Sequence, residues 1–190
     1  MKIDSAEFIK GIRGTNPILY DGVPQIVFLG RSNVGKSSTI NALLGSKDLV
    51  KVSARPGKTT EINFFKINKS FYLVDLPGYG YAKMNMKKGE KLKKLILWYF
   101  MFSDVHPVQV VLILDVKAGL TDFDKEMLKV LEEYNHPYLI VVNKVDKLNQ
   151  KDLSAQLKKI AADAEGAEII PSSAFSRNGT AKLGQRVFEF

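Results

Sequence analysis

Short apolar runs alternating with amphipathic helical segments predict an α/β domain with a mostly parallel sheet and helices on both faces. The runs are Ile26-Val27-Phe28-Leu29, Val110-Val111-Leu112-Ile113-Leu114 and Tyr138-Leu139-Ile140-Val141-Val142. They are continuous rather than alternating, as strands buried on both faces require. Helical periodicity falls at about residues 35–44, 88–102, 123–134 and 152–165, each segment amphipathic enough to cover a sheet face. Residues 61–67 and 70–75 are apolar segments separated by little more than Asn68-Lys69, too short a link for anything but a hairpin. One strand of the pair therefore runs against the rest. A short strand near 168–170 and a helix from about Thr180 complete a six-stranded sheet with one antiparallel strand.

The chain has 190 residues, 45% of them hydrophobic, which suits one folded domain and excludes a disordered chain. The longest apolar run, Leu95 to Phe102, is about half of the roughly 18 residues a membrane span needs. Asp4 and Glu7 stand where a secretory signal would be apolar, and cysteine is absent, so a cytoplasmic location is expected. Lys and Arg number 28 against 20 Asp and Glu, a formal net charge of +8 that suits a polyanionic partner or plain solubility.

Directly after the first buried run comes Gly30-Arg31-Ser32-Asn33-Val34-Gly35-Lys36-Ser37, which fits G-x-x-x-x-G-K-[ST] and leads into a helix. Glycines let the backbone wrap round phosphates so that its N–H groups and the positive helix end point inwards. Lys36 would reach the β and γ phosphates, and Ser37 would ligate Mg²⁺. The domain is thus expected to be a three-layer P-loop NTPase. Asp75-Leu76-Pro77-Gly78 closes the second hairpin strand. It places a carboxylate beside the expected metal, with the Gly78 N–H as γ-phosphate sensor.

Asn143-Lys144-Val145-Asp146 follows the third run. The Asp146 carboxylate can accept hydrogen bonds from the guanine ring N–H and exocyclic amine, a donor pair adenine lacks, which selects GTP over ATP. Asn143 would tie the base loop to the phosphate loop, and the Lys144 stem would lie over the purine. Ser172-Ser173-Ala174 would meet the guanine carbonyl through a backbone N–H, with Ser173-Ala174 favoured for the contact. The polar stretch Ser53-Ala54-Arg55-Pro56-Gly57-Lys58-Thr59-Thr60 reads as the first switch. One of its threonines would complete the Mg²⁺ shell; local chemistry leaves Thr59 and Thr60 equivalent.

With these motifs in this order the chain resembles the EngB (YihA/YsxC) family of small bacterial GTPases. The residues carrying the resemblance are Gly30 to Ser38, Asn41-Ala42-Leu43-Leu44, Arg55-Pro56-Gly57-Lys58-Thr59, Ile62-Asn63-Phe64-Phe65 and above all Asp75-Leu76-Pro77-Gly78-Tyr79-Gly80-Tyr81-Ala82. It implies a single G domain at 23–190 with an N-terminal extension, 1–22, packed on it. It also implies a monomeric GTPase that assists assembly of the large ribosomal subunit, through rRNA and ribosomal proteins, with a link to the cell cycle and septation. The family spacing favours Thr59 as the Mg²⁺ ligand and adds Ser38, Gly57 and Pro77 to the nucleotide site, with Lys36, Thr59, Gly78 and Asn33 as the catalytic group. In related GTPases an asparagine at the place of Asn33 binds K⁺, so K⁺ stimulation is expected. Three departures stand out. Lys117 replaces an expected arginine, Asn143 stands where the family often has threonine, and Phe175 occupies the place where many GTPases set a lysine against the base.

Tyr79 stands where Ras-like GTPases carry the glutamine that orients the attacking water, so a low intrinsic rate is expected. His106 and His136 lack metal or triad spacing and are expected at the surface or a strand edge. Lys83, Lys87, Lys88, Lys91, Lys93 and Lys94 follow the second switch, opposed by Glu90. At helical spacing Lys87, Lys91 and Lys94 share a face that could meet rRNA phosphates, with Leu92, Leu95, Ile96 and Tyr99 on the apolar side. The alternative is a regulatory switch acting on a protein, docking through Tyr79, Tyr81 and the switch loops.

Overall fold

A computed structural model of the chain describes residues 2–46, 49–50, 60–80 and 86–189. Its centre is the four parallel strands β2 (Gln25–Gly30), β4 (Phe71–Asp75), β5 (Gln109–Asp115) and β6 (Tyr138–Asn143), to which β3 (Ile62–Ile67) and the short β7 (Ile169–Pro171) are added. The hairpin β3–β4 forms as expected, with Asn68 and Lys69 both at positive φ (49° and 57°), the backbone of a tight primed turn that matches strand twist.

The sheet has seven strands rather than six, in the order β1-β3-β4-β2-β5-β6-β7. The extra strand is β1 (Ala6–Ile12), antiparallel to β3 with a register shift between Phe8 and Lys10. Its burial pattern gives no apolar run, because at the sheet edge the strand is held by main-chain pairing more than by core burial. Since β1 opposes β3 and β3 opposes β4, β3 remains the single reversed strand.

Side chains alternate between two cores, as a pleated strand requires. Val27, Leu29, Val74, Leu112 and Ile140 pack with α2 (Met86–Met101), α3 (Asp122–Glu133) and Ile160 of α4 (Gln150–Asp163). Ile26, Phe28, Val111, Ile113 and Val141 face α1 (Lys36–Leu43) and α5 (Thr180–Phe188) through Ile40, Leu183 and Val187. Thr121 and Asp124 close a capping box at the start of α3. Tyr99 of α2 donates to Gln25 at 2.6 Å, and Gln25 donates to the Leu19 carbonyl at 3.1 Å, fixing the helix to the entrance of β2.

The consequence for function is geometric. Gly30, Asp75, Asp115 and Asn143 all end parallel strands, so the loops after them gather along one edge of the sheet, where ligands bind in open α/β sheets.

Asn68 also holds the chain's beginning: its Oδ1 accepts from the Asp4 and Ser5 amides at 2.8 and 3.0 Å, and its Nδ2 donates to the Lys2 carbonyl at 2.7 Å. Asn68→Gly keeps the positive φ and removes all three bonds. Amide hydrogen exchange at Asp4 and Ser5 should then lose its protection while that of β2 and β5 stays unchanged.

Candidate functional site

The loop after β2 is shaped by contacts that tolerate little change. A Cβ at Gly30 would stand 2.6 Å from the Ile113 carbonyl, so glycine alone lets β2 leave the sheet beside β5. Asn33 and Gly35 both take positive φ, 68° and 95°, which folds the loop back on itself. Gly35 then precedes Lys36, the first residue of α1, and no side chain caps that helix. The first-turn N–H groups of α1, on Lys36, Ser37 and Ser38, are thus left for another acceptor, as an anion-binding helix end requires.

Two side chains from the loop after β6 hold the phosphate-loop backbone. Asn143 donates through Nδ2 to the Val34 carbonyl at 2.8 Å and accepts the Ala174 N–H at 3.1 Å. Lys144 donates to the Asn33 carbonyl at 2.6 Å and to Asp115 at 2.8 Å. These two bonds fix the loop backbone at Asn33 and Val34, while the Ser32 and Val34 N–H groups donate to the Tyr79 and Arg31 carbonyls. The expected tie from Asn143 is present, and the second tie, from Lys144, is one that the motif spacing does not predict. Asp115 belongs to none of the motifs either, although it ends its apolar run at the sheet's carboxyl edge as Asp75 does.

At the phosphate end, Lys36 forms an ion pair with Asp75, both side chains being buried. Gly78 lies against Ser32, where an added Cβ would stand 3.1 Å from its Cα and 3.2 Å from its N, and Ser32 donates to the Tyr79 carbonyl at 2.8 Å. Arg31 pairs with Tyr79 in an isolated parallel bridge. The loop after β2 is therefore joined to the end of β4 at two points, Lys36 to Asp75 and Ser32 to the Gly78-Tyr79 backbone, and Pro77 between them in sequence is buried. Gly57 and Thr59 lie outside the described residues; Thr60, inside them, accepts from Arg13 at 3.2 Å.

At the base end, Ser173 donates to the Asp146 carboxylate at 2.5 Å and accepts from the Ser176 N–H at 3.1 Å. Ser172 is fully buried: its Oγ reaches the Asn178 carbonyl at 3.3 Å, and its main chain continues the pairing with Val142. Ser173 is fully buried as well, and the N–H groups of Ser172, Ser173 and Ala174 are all engaged, on Val142, Asn178 and Asn143, so the expected backbone donor to the guanine carbonyl is already paired in this structure. The donor set fits Mg²⁺, which takes hard oxygens and needs few protein ligands when phosphates supply the rest. Ser37 and Asp75 would be those ligands once an incoming phosphate competes for Lys36.

Comparison with known proteins agrees with this geometry. Residues 25–144 match the family model described as 50S ribosome-binding GTPase, and residues 106–190 match the elongation factor Tu GTP binding domain. Among curated relatives, the probable GTP-binding protein EngB of Solibacter usitatus is 42% identical over 96% of this chain and 94% of its own length. The Clostridium kluyveri protein of the same name is 44% identical over 94% and 92%. The chain belongs to the EngB family. It is a GTP-binding protein and a GTPase. A crystal structure of a probable EngB superposes with a TM-score of 0.73 at 29% identity, covering 87% of this chain and 97% of the other. Era of Aquifex aeolicus, bound to GDP and AlF4⁻, shares the fold with a TM-score of 0.67 at 24% identity, over 87% and 56%.

Tyr79 behaves differently in this EngB chain from a surface residue. Its ring is buried, packs edge-on against Phe123 at 4.5 Å between centroids, and its hydroxyl donates to the buried Asp124. Burial first, then the Asp124 carboxylate, pushes the phenol well above its usual range, so it stays protonated. This corrects the idea of Tyr79 as an apolar docking residue, because it has no surface to offer; Tyr81 lies outside the described residues. Its partner is foreshadowed only by the Thr121-x-x-Asp124 capping pattern. His136 is also buried, its Nε2 2.9 Å from the Phe100 carbonyl, whereas His106 is exposed as expected.

Asn143→Ala removes the tie to Val34 and the acceptor for Ala174 together. Weaker binding of both GDP and GTP by roughly tenfold is expected, on the order of two lost hydrogen bonds. Titration calorimetry reads the change, and thermal unfolding without nucleotide separates it from a loss of fold.

Proposed function

We propose that this EngB GTPase is a molecular switch that assists assembly of the large ribosomal subunit in the cytoplasm. In this reading residues 23–190 form the nucleotide domain and 1–22 its packed extension, and the protein acts as a monomer. GTP would lie along the loop of Gly30, Arg31, Ser32, Asn33, Val34, Gly35, Lys36, Ser37 and Ser38, with guanine between Asn143, Lys144, Asp146 and Ser173-Ala174. Lys36 would neutralise β- and γ-phosphate charge, Ser37, Asp75 and Thr59 would hold Mg²⁺, and the Gly78 N–H would sense the γ-phosphate. Mg²⁺ supplies charge stabilisation on the transferring phosphoryl group. Among the described residues no helix is long and apolar enough to cross a membrane.

The observation that carries the ribosomal reading is the position of the basic helix. Helix α2 begins soon after the Gly78 sensor, and Lys87, Lys88, Lys91 and Lys94 are exposed along it while Leu92, Ile96 and Tyr99 are buried. Lys93 is partly engaged, its Nζ 4.4 Å from the Phe123 ring that also packs on Tyr79. A γ-phosphate that moves Gly78 would therefore act on a chain segment leading to a cationic surface suited to rRNA phosphates. The family description, 50S ribosome-binding GTPase, supports the same choice of partner.

The deciding experiment is co-sedimentation with ribosomal particles in GDP or a non-hydrolysable GTP analogue, with Asp146→Ala as the variant that loses guanine. Pelleting with the large subunit in the analogue state is expected, and equal absence in both states would refute the reading. Replacing Lys87, Lys88 and Lys91 with alanine should weaken that association. The slope of log Kd against log salt should fall by about 0.7 to 0.9 for each rRNA phosphate that the variant no longer neutralises.

K⁺ is proposed as an accessory ion at Asn33. That residue is exposed, its carbonyl is held by Lys144, and its side chain makes no hydrogen bond among the described residues, leaving the amide oxygen free to coordinate a cation. With Tyr79 withdrawn into the core, the place of a water-orienting glutamine is served by no side chain of its own. Hydrolysis should run several-fold faster in KCl than in NaCl, and Asn33→Ala should abolish the difference; equal rates in the two salts would remove the ion from the mechanism.

A further inference from the structure

Gly78 is partly open between two buried neighbours, Pro77 and Tyr79. Its backbone is pinned on both sides. Before it, the Leu76 N–H donates to the Phe28 carbonyl at 3.1 Å, which ties the end of β4 to β2. After it, Tyr79 is held by main chain and side chain alike: its carbonyl accepts from Ser32 at 2.8 Å, and its ring, 1% exposed, runs inward to the first turn of α3. We propose that Tyr79 is a positioning residue that, through its hydroxyl on Asp124, holds the Gly78 N–H in place for a γ-phosphate and so favours GTP over GDP. This rests on the reading of Gly78 as the γ-phosphate sensor.

Asp124 is 0% exposed, a costly place for a carboxylate unless its oxygens are all engaged. Its Oδ2 accepts the Thr121 N–H at 2.8 Å and the Thr121 hydroxyl at 2.5 Å, which closes the capping box. Its Oδ1 accepts the Tyr79 hydroxyl. A capping box uses one carboxylate oxygen, so the bond from Tyr79 is a link between the chain after β4 and the helix rather than part of the cap. The ring also packs edge-on against Phe123 at 4.5 Å, so phenylalanine at 79 would keep that packing and lose the link alone. The clearance at Gly78 is small: an added Cβ would stand 3.1 Å from the Ser32 Cα and 3.2 Å from its N, so a shift of Tyr79 changes how Gly78 lies on the phosphate loop. An amide held in place before its ligand arrives spares the complex an ordering cost. GDP has no γ-phosphate to meet this amide, so losing the anchor restores that cost in the GTP complex alone.

The test is titration calorimetry of the full chain and its variants with GDP and with a non-hydrolysable GTP analogue. Tyr79→Phe should weaken the analogue roughly 3- to 10-fold, the size of one hydrogen bond, and leave the Kd for GDP unchanged. Asp124→Ala should give the same analogue-selective loss, and the double variant no more than either alone, because each removes the same link. The double variant leaves no buried carboxylate without a partner, so it reads the link even where Tyr79→Phe folds poorly. Losses that multiply in the double variant, a loss shared equally by GDP and analogue, or an analogue Kd equal to the parent's would each overturn the anchoring role. Gly78→Ala separates this outcome from the reading beneath it, and should weaken the analogue by pressing a methyl group on Ser32. If Gly78→Ala binds the analogue as the parent does, the sensor reading falls and the proposal with it. If Gly78→Ala weakens the analogue and Tyr79→Phe does not, the proposal alone falls.

Discussion

Everything at the nucleotide cleft depends on the direction in which the backbone of residues 30–36 presents its polar groups. A loop of this kind can aim its N–H groups at phosphates only if its carbonyls are satisfied elsewhere. Here that is done from behind, by Asn143 on Val34 and Lys144 on Asn33. Both donors come from the end of β6, two strands away from β2 in the sheet order. The parallel register of β2, β5 and β6 is therefore part of the binding site, because it sets Gly30 level with Ile113 and Val141 and carries Asn143 two residues beyond, beside the loop that follows Gly30. The same coupling means that the base loop and the phosphate loop cannot move independently.

A second coupling runs the other way, from the phosphate end into the helices. The main chain of Tyr79 lies on the phosphate loop, through its bridge to Arg31 and the bond from Ser32, while its side chain is buried against α3. One residue thus joins the loop after β2 to the capping box of α3 and, through Phe123, to Lys93 of α2. Such a residue cannot double as the group that orients water.

Along the cleft the charges are balanced by internal pairs. Lys36 is satisfied by Asp75, Lys144 by Asp115 and the Asn33 carbonyl, and Asp146 by Ser173. A buried lysine or carboxylate without a partner would be costly, and the Lys36–Asp75 pair offsets that cost. The lysines of α2 lie on its exposed side, and the helix is held to the domain by its apolar face.

The sequence by itself determined the α/β class, the order of the motifs and the reading as a GTPase. Each of these is written locally: buried parallel strands are continuous apolar runs, and a phosphate loop must have its glycines and lysine at fixed spacing between strand and helix. Tertiary structure alone decided what depends on pairing between distant segments. The edge strand β1 has no core-facing apolar run to announce it and exists because β3 offers it a ladder. The burial of Tyr79 depends on Asp124, forty-five residues further on, and the second tie on the phosphate loop depends on Lys144, more than a hundred residues from Asn33. Ser172 and Ser173 are identical in sequence terms and both buried, and only the turn of the chain after β7 sends one hydroxyl to the Asn178 carbonyl and the other to Asp146. Local pattern specifies what a residue can do; the sheet register and the loops between strands decide which neighbour it does it with.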